Sequence, residues 1–147
     1  MLCVEALEQL RHHQDAILAH VDRATDFALL DPVYARGPLA KARWEMARML
    51  RAYQLFKHTE IFDPAIACGL PHQRQAAQAM KEDCLAAGEA YWAHTRRWSS
   101  EDIACRWEDY RPAMLAMAGQ IRSHVTRERA NLALLLTGST RTRRLRA

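Results

Sequence analysis

The chain has 147 residues, of which half are apolar and 26% are charged, and its formal net charge is +4 at pH 7. This is the mixture of an ordinary soluble globular domain, long enough to bury one core without disulfides. No run approaches the roughly 18 consecutive apolar residues of a membrane-spanning helix, and the N-terminus lacks the basic region and apolar block of a secretory signal. We therefore expect a cytoplasmic protein that has no membrane partner.

Positive charge is concentrated at the C-terminus, where four arginines follow Gly138. We predict a folded domain over residues 1–136 and a flexible basic tail over residues 137–147. Without the tail the domain is near neutral, so no nucleic-acid partner is expected. The cysteines show neither CxxC spacing nor the density of a disulfide scaffold, and they are predicted to be reduced thiols: Cys3, Cys68, Cys84 and Cys105.

Four segments repeat apolar residues with the 3.6-residue period of an amphipathic helix. Proline and glycine lie mostly between them, as expected for an all-helical chain. The predicted helices, A to D, cover residues 4 to 29 or 30, 38 to 62, 71 to 98, and 112 to 136. Because all four helices are similar in length and joined by short loops, the pattern predicts an all-α, antiparallel up-down-up-down four-helix bundle.

A candidate site begins with His124 and Glu128, which lie four residues apart and therefore on one face of helix D. Antiparallel packing brings His13 of helix A to the same height, where the nearest inward residues are Glu60 on helix B and Cys84 on helix C. Imidazole and carboxylate groups suit iron, manganese or zinc, and a thiol adds a soft donor. These five residues are therefore candidate metal ligands.

The same residues also fit a bundle without a metal. A neighbouring carboxylate can satisfy a core histidine, glutamate side chains can extend to solvent, and Cys84 can serve as a core filler. A carboxylate buried in such a core needs a cation, a shared proton or a protonated histidine to compensate its charge. His20 lies two turns deeper and is interpreted as a core residue.

Three stretches together resemble the hemerythrin-like, or HHE cation-binding, domain: Leu10-Arg-His-His13, Glu60-Ile-Phe-Asp-Pro64 and His124-x-x-x-Glu128 followed by leucines. The resemblance covers helices A to D. It implies a four-helix bundle that encloses an iron pair, held by histidines from all four helices and bridged by carboxylates. Carried over to this sequence, it implies His13, Glu60, His124 and Glu128 as metal ligands.

Two positions depart from the family pattern within the ligand set. Phe56 stands where the family has a histidine four residues before its glutamate, and Cys84 stands where helix C has a histidine. In addition, no proline follows the helix D motif. The expected ligand set is therefore a depleted one.

Three function classes stay open. The first is a metal-binding domain that stores or senses iron or a small ligand, and the second is a metal-free regulatory or protein-interaction module. The third is an oxidoreductase using a metal with Tyr53 or Tyr91, which no feature specifically indicates, so a non-enzymatic role is favoured. Apolar residues on or near outer helix faces indicate a homodimer or partner surface, with an ordinary surface as the alternative: Trp44, Leu55, Phe62, Trp92 and Trp107.

Overall fold

The computed structural model describes residues 4–146, with the side chains of residues 4–135, so Cys3 lies outside the described residues. Its elements are α1 (Val4–Phe27), α2 (Pro32–Lys57), a π-helical turn (His58–Phe62), α3 (Asp63–Cys68), α4 (Pro71–Ser99) and α5 (Trp107–Arg146). The described chain contains no strand. The predicted all-helical fold with four long helices is confirmed.

The start of α2 differs from the prediction. The helix begins at Pro32 instead of Pro38, and the predicted loop before Pro38 is helical. Asp31 caps this start, since its side chain accepts a hydrogen bond from the Val33 N–H at 3.1 Å. Pro32 suits the first helical position because a missing N–H costs nothing there. Pro38 then removes one hydrogen bond within the helix, and its fixed φ remains compatible with helical backbone.

The start of α5 also precedes the predicted proline. The helix begins at Trp107, with Glu108 and Asp109 in its first turn, and Pro112 lies inside it. Acidic side chains at this end interact favourably with the positive end of the helix dipole. The helix continues to Arg146. Side chains beyond residue 135 lie outside the described part, so the predicted division into a domain over 1–136 and a tail over 137–147 stays a prediction.

The core lies between the four long helices. α1 packs against α2 and α5, and α4 packs against the same two helices. Each helix contributes apolar side chains to a shared buried cluster that includes Leu10, Ile17, Tyr53, Met80, Tyr110 and Leu132. Spaces that remain between these helices form the two cavities described below.

The outer surface keeps part of its predicted apolar character. Trp44, Leu55 and Trp92 are exposed as predicted, and Trp107 is half-buried. Phe62, however, is fully buried, so its predicted place on the outer face is wrong. None of the helices in the described chain is long and apolar enough to cross a membrane.

Candidate functional site

A buried lysine is the centre of the polar cluster in the core. The Lys57 side chain is 1% exposed, and its Nζ lies 2.7 Å from both carboxylate oxygens of Glu128. The same Nζ donates to Sγ of Cys84 at 3.1 Å and lies 3.9 Å from the ring centroid of Tyr53. These contacts use all three N–H donors of the ammonium group.

His124 is the second cation beside Glu128. Its Nε2 lies 3.1 Å from Oε1 of Glu128, one helical turn further along α5. Burial alone would lower the pKa of His124, but hydrogen bonds with Cys84 and Glu128 and the Glu128 charge outweigh it and raise that pKa to about 9. Burial would raise the pKa of Glu128, but His124 and Lys57 hold it below its usual value. Two cations and one carboxylate leave this cluster with a net positive charge at neutral pH.

A chain of hydrogen bonds connects the cluster to the surface. Burial, with the charge of Glu128, raises the pKa of Tyr53, so its hydroxyl stays protonated. Gln14 Nε2 donates to that hydroxyl at 3.1 Å, and Arg129 Nε donates to Oε1 of Gln14 at 3.0 Å. Arg129 also pairs with the exposed Asp15 at 2.6 Å. Fully connected polar networks of this kind fix side-chain geometry in a core.

The structure brings together three of the five predicted site residues: Cys84, His124 and Glu128. His13 is only half-buried, and its ring packs on Tyr53 and Phe56 with centroid distances of 6.0 and 5.3 Å. Burial and the neighbouring His12 lower the pKa of His13. Its contacts are those of an aromatic packing residue.

Glu60 is exposed, so its predicted place on the inner face is wrong. An α-helix would turn residues 56 and 60 towards the face of Tyr53. The π-helical turn over His58–Phe62 has more residues per turn, and the buried residues that follow Lys57 are Ile61 and Phe62. The inner face therefore passes through residues 53, 57 and 61.

Lys57 is the site residue that sequence reasoning missed, because lysine is rarely buried unless it is paired. One signal was present. Lys57 follows Tyr53 by four residues and so belongs to the same face of α2, and a glutamate predicted in the core required a cation.

The cluster does not fit an iron pair. Over the described residues, no group of three or more His, Cys, Asp and Glu side chains is placed to hold a metal ion. The position beside both oxygens of Glu128, where a metal would bind, is taken by the Lys57 ammonium. The metal ligand set implied by the family resemblance is therefore not assembled.

A cavity of about 500 Å³ lies between α2, α4 and α5, and Lys57, Cys84 and His124 form part of its lining. Trp44 and Trp92 also line it and are about half exposed, which places them on its solvent side. The volume falls within the range of about 300 to 1,000 Å³ that is typical of small-molecule sites.

The charged side chains that line this cavity are all basic. They are Arg48, Arg51, Lys57 and His124, and the described lining includes no aspartate or glutamate. Most of the remaining wall is apolar, from residues such as Leu50, Met117, Ile121 and Val125. The cavity thus combines an apolar wall with positive charge, both on its exposed side and at its buried end.

Comparisons of the chain with protein-family models, curated proteins and solved structures find no match.

Proposed function

We propose that the protein is a binding module for a small amphipathic organic anion, held in the cavity between α2, α4 and α5. The observation that carries this proposal is the lining of the cavity, with four basic side chains and no acidic one among its described residues. Ligand sites are commonly apolar pockets in which a few placed polar groups fix the orientation of the ligand. This pocket attracts negative charge and offers apolar surface.

The acid group of the ligand binds at the buried end, near His124. All three donors of Lys57 are already used, and His124 already hydrogen-bonds Glu128 and Cys84, so both side chains act on the ligand through their positive charge, and the His124 side chain is 15% exposed. The apolar body of the ligand then contacts Leu50, Met117 and the ring of Trp92. Arg48 and Arg51 are exposed and raise the local concentration of anions at the entrance.

The role is binding, storage or sensing of the ligand by a metal-free bundle, and not catalysis. We also propose that the four long helices run in antiparallel up-down-up-down order and form a hemerythrin-like bundle. This arrangement is supported by the packing of α1 and α4 against both α2 and α5. The charge on Glu128 is compensated by Lys57 and His124, so the fold requires no metal in its core.

The test uses decanoate as the anionic probe and decanol as its neutral counterpart, with affinities measured by isothermal titration calorimetry. A unit charge about 4 Å from a carboxylate attracts it by about 4 kcal/mol at an effective dielectric constant of about 20, and desolvation offsets part of this, so decanoate should bind at least about tenfold more tightly than decanol. His124→Gln should remove that preference. His72→Gln, at an exposed histidine outside the cavity lining, is the matched control and should keep it.

A second pair of variants tests the location. Ala87 lines the cavity, whereas Ala86 is exposed and does not, so Ala87→Leu should weaken decanoate binding and Ala86→Leu should leave it unchanged. Equal binding of decanol and decanoate would refute anion selectivity. Absence of decanoate binding, or equal binding to both alanine variants, would refute the assignment of the site.

A further inference from the structure

Arg43 of α2 is another buried cation, and it has no carboxylate partner among the described residues. Its exposure is 7%, and its Nε and Nη1 are fully buried without a hydrogen-bond partner in the described part of the chain. No ion pair to Arg43 occurs among the same residues, in contrast to Lys57, which has Glu128. A buried charge without a counterion is strongly unfavourable, so an uncompensated guanidinium needs an explanation.

Arg43 lines a small separate cavity between α1, α2, α4 and α5. The cavity measures about 40 Å³, several times the roughly 10 to 15 Å³ that one water molecule requires. Its polar lining includes His20, His94 and Tyr110. His20 Nε2 lies 2.9 Å from the Ala42 carbonyl oxygen, and Tyr110 hydrogen-bonds Arg43.

The lining supplies no negative charge to this guanidinium. None of its described residues is an aspartate or glutamate. Burial, and then the charge of Arg43, lowers the pKa of His94 to about 4, so that imidazole is neutral at physiological pH. Two nitrogens of Arg43, Nε and Nη1, therefore keep unused N–H donors beside a cavity that is large enough for a small guest.

We propose that Arg43 is an anion-binding site for one small monoanion, of the size of a halide or formate, held by its Nε and Nη1 groups. The volume limits the guest to a few non-hydrogen atoms, and a single guanidinium balances a single negative charge. The site is separate from the cavity proposed for the amphipathic ligand and does not depend on it. Its role is to neutralise a core charge that the described part of the chain leaves unpaired.

The direct test is crystallography of the full chain grown in sodium bromide, with data collected at the bromine absorption edge. An anomalous peak within hydrogen-bond distance of Arg43 Nε or Nη1 is expected. Water alone in the cavity, or bromide found only elsewhere on the protein, would overturn the proposal. This test uses the wild-type protein, so it does not depend on the folding of a variant.

A solution test measures the thermal midpoint against bromide concentration, with sodium gluconate holding the ionic strength constant. An anion that binds only the folded state raises the midpoint in a saturable way. Arg43→Met should weaken the bromide response by about tenfold or more, since it removes the charged donors. Arg127→Met, at an exposed arginine outside both cavities, should respond as wild type does. An equal response in Arg43→Met, or none in wild type, would refute the site.

Discussion

Substitution of Lys57 by methionine tests whether the buried ion pair holds the core together. Two unit charges 2.7 Å apart attract by about 6 kcal/mol at an effective dielectric constant of about 20. The loss of hydration at each ion offsets several kcal/mol of this, so the net gain from the pair is small. The variant, however, leaves Glu128 buried without its ammonium partner, which typically costs about 3 to 5 kcal/mol. Because protonated His124 still contacts Glu128, we expect Lys57→Met to lower the free energy of unfolding by about 3 kcal/mol, the lower end of this range.

The assay is urea unfolding at pH 7, followed by circular dichroism. Lys81→Met is the matched control, because Lys81 pairs with Asp63 at 2.8 Å but both side chains are substantially exposed. Lys81→Met should lower the free energy of unfolding by less than about 1 kcal/mol. Adding Glu128→Gln to Lys57→Met should recover part of the lost stability. The reasoning fails if Lys57→Met lowers the free energy of unfolding no more than Lys81→Met does. It also fails if the loss in the double variant equals the sum of the losses in the two single variants.

Four further predictions concern pH, metal and assembly. The pKa of His124 is raised from 6.5 to about 9, so the stabilisation that the protonated imidazole provides is complete below pH 6.5 and is lost as pH rises through about 9. In urea unfolding, His124→Gln should therefore reduce the fall in the free energy of unfolding over this pH range. His94 has a pKa lowered from 6.5 to about 4, so stability should fall as pH drops between these values, and His94→Gln should remove this loss. Loading with iron(II) or zinc should leave substoichiometric metal after gel filtration, because Lys57 occupies the position beside Glu128; stoichiometric metal would contradict this. The homodimer predicted from exposed aromatics can be tested by sedimentation velocity, in which Trp44→Ser with Trp92→Ser should shift a dimer to monomer.

The long helices could be predicted because the apolar period needs only local sequence, and α1 and α4 begin at residues 4 and 71 as predicted, but the starts of α2 and α5 could not be predicted. Two prolines compete for the start of α2, and the capping hydrogen bond from Val33 to Asp31 favours the earlier one. Pro112 was expected to begin a helix, yet it lies within α5. Proline disfavours a helix interior by a few kcal/mol, and tertiary packing can exceed that cost.

The α5 part of the site could be predicted, and the α2 part could not. The four-residue spacing of His124 and Glu128 holds in any regular α-helix, and the structure keeps both in contact. The predicted inward position of Glu60 is wrong because it assumes a regular α-helix, with 100° per residue, through a segment that forms a π-helical turn. Lys57 was not predicted for another reason. Lysine side chains are usually exposed, and only the carboxylate partner across the bundle explains the burial of this one.

The two buried cations of the core, Lys57 and Arg43, should respond in opposite ways when each is replaced by methionine. Lys57 has its counterion within the chain, so Lys57→Met leaves an unpaired carboxylate and destabilises the fold. Arg43 has no carboxylate among the described residues, so Arg43→Met removes a charge that the chain does not balance. An uncompensated buried charge is strongly unfavourable, so an apolar side chain of similar volume at this position removes a destabilising contribution. In a gluconate buffer without small anions, Arg43→Met should therefore unfold at a urea concentration equal to or above that of wild type. A large destabilisation in that buffer would mean that the fold itself compensates the guanidinium and that no bound anion is needed.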